Sequence, residues 1–349
     1  RNKMAGLEGS FLVLCNPLLD ISSVVSEEFL KKYEIQLANQ ILAEEKHLPM
    51  YKELAALPTV EYMPGGAGQN TARVCQWMLQ APQAASYFGC IGDDEFGKTM
   101  TDICKAQGVN VRYQVDPSTP TGSCAVCIVG GERSLVANLA AANNFKSEFL
   151  LRPENWSVVE RARVVYCTGF FITVSTDSIM AVAKHCAAND KIFSMNISAP
   201  FIVQVPPFKA ALMEALPYID FLFGNEIEAE AFAASEGWTG LPLEEVALRI
   251  ARMPKASGSR PRVVVFTQGC EPTLIAVNGR VSRHPVIVLP KEKLVDTNGA
   301  GDAFVGGFMS QLAAGKSVDE CVRAGNYAAN VIIQRSGCTL PSKPEFVWN

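Results

Sequence analysis

Asp296-Thr297-Asn298-Gly299-Ala300-Gly301-Asp302, running into the apolar stretch 303–312, decides how this 349-residue chain is read. Two glycines let an anion approach the backbone with no Cβ in the way. A helix starting there aims unpaired N–H groups, and the positive end of its dipole, at that anion. Asp302 falls in the first helical turn, beside the place where phosphoryl oxygens would gather. A carboxylate so placed can accept the proton of an attacking hydroxyl group. The same letters also suit a tight turn before an ordinary acidic helix start, so the surrounding sequence has to choose.

Short β-branched and aromatic runs at 11–15, 85–89, 163–167, 191–196, 221–224 and 262–267 predict strands. Helical patterns at 70–79, 96–106, 177–188, 208–216, 226–234 and 243–252 fall between them. In the last, Leu243, Val246, Ala247 and Ile250 mark one buried face. Apolar strands alternating with helices predict an α/β fold whose parallel sheet is covered on both faces. Ligands of such sheets sit beyond the carboxyl ends of the strands. Two stretches, about 19–64 and 119–142, break the alternation. Strand-like patterns at 21–25 and 123–129 predict that they pair into a small sheet over the main domain's edge.

Hydrophobic residues make up 48% and charged residues 19%, which argues against a disordered chain. The net charge of −4 gives no overall basic field for nucleic acid or anionic lipid. Eleven cysteines, in apolar runs such as Val164-Val165-Tyr166-Cys167, read as reduced and mostly buried. Three histidines without an H-E-x-x-H pattern argue against a zinc hydrolase. No stretch approaches the ~18 to 20 apolar residues of a membrane span, and the opening Arg1-Asn2-Lys3-Met4 has no apolar signal core. The expectation is a soluble cytoplasmic monomer, the nucleus remaining open, with neither nucleic acid nor membrane as partner.

A second glycine-rich helix start, Gly65-Gly66-Ala67-Gly68-Gln69-Asn70, follows the strand-like 60–63. Its backbone suits close contact with a flat or hydroxylated ligand, with Asn70 as a hydrogen-bonding partner, although a plain turn explains it too. Asp20, an isolated acid in Asn16-Pro17-Leu18-Leu19-Asp20, strengthens the ligand reading. Gly92-Asp93-Asp94-Glu95-Phe96-Gly97-Lys98-Thr99 fits the phosphate-loop pattern letter for letter. Three adjacent carboxylates would then face a polyanion, each like-charge pair costing about 1 kcal/mol at 4 Å even in water. An acidic, well-capped helix start is the better reading. Cys124-Ala125-Val126-Cys127 cannot share a metal in an alternating strand, because the two thiols point to opposite faces. Phe170-Phe171, after Thr168-Gly169 at a strand's carboxyl end, is core-like, yet one ring could stack on a ligand.

Together these segments resemble the ribokinase-like carbohydrate kinase family over nearly the whole chain. The resemblance rests on Asn16-Pro17-Leu18-Leu19-Asp20, Gln40-Ile41-Leu42-Ala43-Glu44, Gly65-Gly66, Gln69-Asn70 and Phe88-Gly89-Cys90-Ile91-Gly92. It continues through the 138–143 run NLAAAN and Phe223-Gly224-Asn225-Glu226 to the highly specific 296–308 run DTNGAGDAFVGGF. It also assigns Gly89, Gly92, Asp94 and Gly97 to a family signature rather than to a phosphate loop. The implied fold is a three-layer α/β sandwich with a central, mostly parallel sheet and a small α/β lid. The implied large catalytic domain comprises 1–18, 67–118 and 143–349, and the discontinuous lid 19–66 and 119–142.

The implied reaction moves the γ-phosphoryl group of MgATP to the 5′-hydroxyl of a nucleoside, adenosine, giving AMP and ADP in purine salvage. A monovalent cation is an optional companion of Mg²⁺. The resemblance implies Asp302 as the base, N–H groups of Gly299, Ala300 and Gly301 on the moving phosphoryl group, and Arg133 reaching from the lid toward the phosphates. Asp20, Gly66 and Asn70 are implied to hold the ribose hydroxyls, with Gly65, Ala67 and Asn298 also on the substrate. Asn16, Leu18, Gln40, Leu42, Leu135, Ala137 and Phe170 would surround the nucleoside, Phe170 against the purine. ATP is implied at Asn225, Thr267, Gly269, Gly299, Gly301 and Asn326, and Asn225 with Glu228 would reach Mg²⁺ through its water shell. An aspartate with the usual pKa of about 3.9 does not deprotonate a free alcohol outright, so proton transfer has to accompany attack. Three other readings stay open on sequence: a sugar kinase of the same family, a nucleoside-binding protein without catalysis, and a phosphate-loop NTPase needing Lys98.

Overall fold

The computed structural model of the chain describes residues 6–37, 39–130, 132–256 and 260–347; the side chain of Gln40 and the opening Arg1-Asn2-Lys3-Met4 lie outside the described residues. In chain order the strands are β1 (Phe11–Leu14), β2 (Leu18–Val24), β3 (Gln40–Leu42), β4 (Glu61–Gly65), β5 (Ala85–Gly92), β6 (Asn110–Asp116) and β7 (Ser123–Val129). They continue with β8 (Glu132–Asn138), β9 (Val164–Cys167), β10 (Ile192–Asn196), β11 (Phe221–Asn225), β12 (Val263–Gln268), β13 (Glu271–Val277) and β14 (Arg280–His284). Nine form one sheet, ordered β14-β13-β12-β11-β10-β9-β1-β5-β6, and five form a second, ordered β3-β8-β7-β2-β4.

The large sheet follows from its apolar strands. Every residue of Phe11-Leu12-Val13-Leu14 is buried, Leu12 and Leu14 in the core on one face, Phe11 and Val13 in the core on the other. A strand buried on both faces suits the parallel pairing that β1 makes with β5 and β9. Pairing stays parallel from β6 across to β12, and the last two strands run antiparallel. The helices Ala67–Leu79, Ala300–Ala313 and Val318–Ile332 cover one face, and Thr176–Ala188, Glu226–Ser235 and Leu243–Arg252 the other. This is the expected three-layer α/β sandwich.

The strands and helices expected from periodicity are present, their ends shifted by no more than three residues. Two edges went unread. β6 is half-buried along most of its length, so its apolar alternation is diluted by Asn110, Arg112 and Gln114. The β13–β14 hairpin turns on Asn278-Gly279, whose φ values of 52° and 74° are both positive. Asn-Gly is the pair that a two-residue hairpin turn with two left-handed positions calls for.

In the small sheet, successive side chains face opposite ways. Ile21, Ala125, Cys127 and Val136 pack against Leu30, Met50, Tyr51 and Leu54 of two short helices, making a core of their own. Their neighbours Asp20, Cys124, Leu135 and Ala137 therefore point to the opposite face. Register aligns Met63, Asp20, Cys124, Ala137 and Leu42 in one row across it. Three of these, Asp20, Ala137 and Leu42, are residues expected to meet the nucleoside.

Gly306 and Gly307 sit inside the helix Ala300–Ala313, where glycine costs about 1 kcal/mol relative to alanine. Close packing explains them. A Cβ on Gly306 would lie 2.7 Å from Val74 Cβ, and one on Gly307 would lie 2.4 Å from the Ala324 carbonyl oxygen. The helix is thus wedged between Ala67–Leu79 and Val318–Ile332. Gly307→Ala, stabilising in an open helix, is expected here to lower stability by about 1–3 kcal/mol, read from the urea unfolding midpoint.

Candidate active site

Asp302 occupies the first turn of the helix Ala300–Ala313, after Gly299 in a left-handed conformation (φ 76°) that glycine adopts freely. Asn70, from the other glycine-rich helix start, donates its amide to Asp302 Oδ2 at 3.1 Å. The neighbouring Thr71 hydroxyl donates to the Asp302 carbonyl oxygen at 3.2 Å. The two glycine-rich turns therefore converge on one acid. Burial pushes the Asp302 carboxyl up to about 7; the Asn70 bond opposes this, while the charges of Asp20 and Glu228 add to it. That corrects the expectation of an aspartate with its usual acidity.

Asp20 is likewise pushed up to about 7 by burial, against the pull of Arg73 and Arg133. Its carboxylate rests on Gly65, where a Cβ would sit 2.3 Å from Asp20 Oδ1. Gly66, with φ 85°, is packed as tightly: a Cβ there would lie 2.5 Å from the Asn16 carbonyl oxygen. Asn16 itself is buried, and its Oδ1 has no hydrogen-bond partner among the described residues. An unsatisfied buried acceptor costs about 1–3 kcal/mol, and a donor on a ligand relieves it.

The N–H groups at the helix start divide. That of Ala300 donates to the Thr297 carbonyl oxygen at 3.2 Å, which withdraws it from the expected anion-binding set. Those of Gly299, Gly301 and Asp302 have no partner among the described residues. A Cβ on Gly301 would meet nothing within 4 Å, so this edge is open to an anion. Asn298 donates its N–H to Asp296 Oδ1 at 2.9 Å, which shapes the turn.

Asp296 ties more than the turn. Its Oδ2 accepts from the Gly337 N–H at 2.9 Å and pairs with Arg133 of β8 at 3.1 Å. Arg133 also donates to the Ser336 hydroxyl. The guanidinium thus rests on the root of the anion turn instead of reaching toward phosphates, because a largely buried cation takes the buried carboxylate beside it.

The nucleotide-side residues fare unevenly. Thr267 ends β12 with its hydroxyl on the Gly224 carbonyl at 3.4 Å, and Gly269 (φ 58°) has open space beside its Cα. Asn326 is buried with both ends of its amide engaged: Oδ1 accepts from Thr273 and Nδ2 donates to the Pro285 carbonyl. It ties the helix Val318–Ile332 to β13. Asn225 and Glu228 form a reciprocal cap at the start of Glu226–Ser235, each side chain bonding the other's N–H at 2.8 and 3.1 Å. Burial raises the Glu228 carboxyl to about 7. Among the described residues no group of three or more His, Cys, Asp or Glu could hold a metal ion directly.

The apolar side of the site is made by Leu18, Leu135, Ala137 and Phe170, all half-buried, and by exposed Leu42. Gly169 and Phe170 donate their N–H groups to Asn196 Oδ1 and Ser198 Oγ, which fixes the turn that presents the Phe170 ring. Phe201, unread in the sequence, lies 6.1 Å from that ring.

Residues 30–345 match the pfkB family of carbohydrate kinases. The chain belongs to that family. Adenosine kinase 2 of Arabidopsis thaliana is 57% identical over 339 residues, spanning 97% of this chain and 98% of its own. The adenosine kinase of Dictyostelium discoideum is 45% identical, over 95% and 96% respectively. The crystal structure of Anopheles gambiae adenosine kinase in complex with P1,P4-di(adenosine-5) tetraphosphate matches with a TM-score of 0.89 at 48% identity, covering 97% of this chain and 99% of that one. As in the pfkB reading of the motif, Gly92–Thr99 is no phosphate loop. Asp94 accepts from the Gly97 N–H at 2.8 Å and from the N–H and hydroxyl of Thr121 at 2.7 and 2.6 Å, capping its helix from within.

A carboxyl that titrates at about 7 folded and about 3.9 unfolded binds more protons when folded. Stability therefore falls as pH rises between those values, and the full cost stands above pH 7. Asp302→Asn is expected to raise the thermal midpoint at pH 8 and to lose that advantage toward pH 4, as followed by thermal melts.

Proposed function

We propose that this chain is an adenosine kinase, transferring the γ-phosphoryl group of MgATP to the 5′-hydroxyl of adenosine. The observation that carries the reading is Asp302: a carboxyl raised to about 7, bonded to Asn70, in the first turn of a helix with unpartnered N–H groups. Relatives named adenosine kinase along nearly the full length support the choice of acceptor.

The hydroxyl that attacks phosphorus must give up its proton, and a base near 7 shares that proton at neutral pH far better than one near 4. The new O–P bond forms as the bond to the bridging oxygen of ADP breaks, and the proton passes to Asp302. N–H groups of Gly299, Gly301 and Asp302 take up charge on the phosphoryl oxygens. Asp20 and Asn70 hold the ribose hydroxyls, and Asn16 Oδ1 accepts from the nucleoside. The wall of Leu42, Leu135 and Phe170 suits a purine better than a free sugar. Asn225 and Glu228 would hold a Mg²⁺ ion through its water shell, and when bound with ATP that ion would offset phosphate charge. Residues 19–66 and 119–142 serve as a lid whose closure excludes water, with Arg133 tying the lid to Asp296 at the root of the anion turn.

Product analysis after incubation with MgATP and a panel of nucleosides and sugars is expected to give AMP and ADP from adenosine and no sugar phosphate. Asp302→Asn is expected to lower kcat by several decades with KM for adenosine little changed; normal turnover in that variant would remove Asp302 from the role. In the wild type, kcat is expected to decline as pH falls below about 7, where the base gains its proton.

A further inference from the structure

Arg73 lies three residues beyond Asn70 on the helix Ala67–Leu79 and is 1% exposed. Its guanidinium donates to Gln107 Oε1 and the Pro64 carbonyl at 2.7 Å, the Cys338 carbonyl at 3.1 Å and Asn70 Oδ1 at 3.4 Å. All four acceptors are uncharged, and none of the ion pairs among the described residues includes Arg73. A buried cation without a paired anion is costly, so its charge needs a reason beyond those bonds.

Arg262 supplies the contrast. It is equally buried and donates to the carbonyl groups of Leu216, Ile219, Ile250, Met253 and Pro254. Those carbonyls lie at helix ends, where cationic side chains commonly dock, and none belongs to the candidate site. Arg73 instead holds a site residue. Its contact with Asn70 Oδ1 leaves Nδ2 turned to Asp302; a flipped amide would set donor against guanidinium and oxygen against carboxylate.

We propose that Arg73 is a positioning residue of the nucleoside site, fixing the Asn70 amide that bonds Asp302 and supplying buried positive charge that Asp20 faces. The inference rests on the roles given above to Asp20, Asn70 and Asp302. Asp20 also faces Arg133, Asp296 and the Cys124 thiol. Asp302 faces Asp20, Glu228, the thiols of Cys15 and Cys338 and the Tyr166 phenol. Burial pushes the thiols and the phenol upward, so they stay neutral near pH 7 and the two arginines carry the positive charge. Arg73 is the first counterweight to burial at Asp20, ahead of Arg133.

The test is kcat/KM for adenosine against pH, at saturating MgATP, in the wild type, Arg73→Lys, Arg73→Gln and Gln107→Glu. Gln107→Glu keeps an acceptor on the guanidinium and adds a neutralising charge. Arg73→Lys is expected to keep the wild-type acid limb despite making fewer hydrogen bonds. Arg73→Gln is expected to move that limb up by about one pH unit, the scale of one lost opposite charge, with KM rising more than kcat falls. Gln107→Glu is expected to move it in the same direction. The proposal is overturned if neither charge-removing variant moves the limb, or if Arg73→Lys moves it as far as Arg73→Gln. Should Arg73→Gln not fold, Gln107→Glu decides alone. Wild-type activity and profile in Asp20→Asn would overturn the site assignment itself, an outcome separate from flat responses at Arg73 and Gln107.

Discussion

The contact between the helices Ala67–Leu79 and Ala300–Ala313 is the constraint on which the rest depends. Asn70 and Asp302 are 232 residues apart in the chain and meet only because these helices pack closely. The closeness is set below the acid, where Gly306 faces Val74 and the Thr71 carbonyl, with no room for a side chain. Thr71 links the levels, its one hydroxyl hydrogen shared between the carbonyl oxygens of Ala67 in its own helix and of Asp302, at 3.1 and 3.2 Å. The position of the acid is therefore a packing result first and a property of its glycine-rich turn second.

What this packing holds in place is electrostatically uncomfortable. Asp20, Asp302 and Glu228 are three carboxyls that burial has made reluctant to ionise. Such groups persist because the surrounding structure over-determines them, and sites of this kind commonly trade stability for activity. At Asp20, Arg73 and Arg133 oppose the effect of burial, one from the helix Ala67–Leu79 and one from the small sheet. Arg133 does so while joined to Asp296, so the small sheet and the anion turn are connected through a single ion pair.

The layered architecture was legible because strands such as Phe11–Leu14 and Val263–Gln268 are continuously apolar, and the helices between them repeat at 3.6 residues. The two glycine-rich turns and Asp20 were legible as chemistry, since glycine and isolated acids stand out against apolar surroundings. Three things were not. The raised pKa of Asp302 comes from burial that only the folded chain creates. The engagement of Asn326 with Thr273 and Pro285 depends on contacts 41 to 53 residues away. Arg73 drew no reading in the sequence, and its one local sign was its three-residue spacing from Asn70, which places both on one helix face.

The topology also sets an order of assembly on the ribosome. All five strands of the small sheet lie between Leu18 and Asn138, so its pairing needs nothing encoded later. The interior strand β1, by contrast, must wait for β9, and Asn70 must wait for the helix that begins at Ala300. Translation therefore delivers the small sheet first and the acid last. A nascent chain stopped short of that final seventh carries the whole small sheet and Asn70, yet lacks the Asp302 that Asn70 bonds.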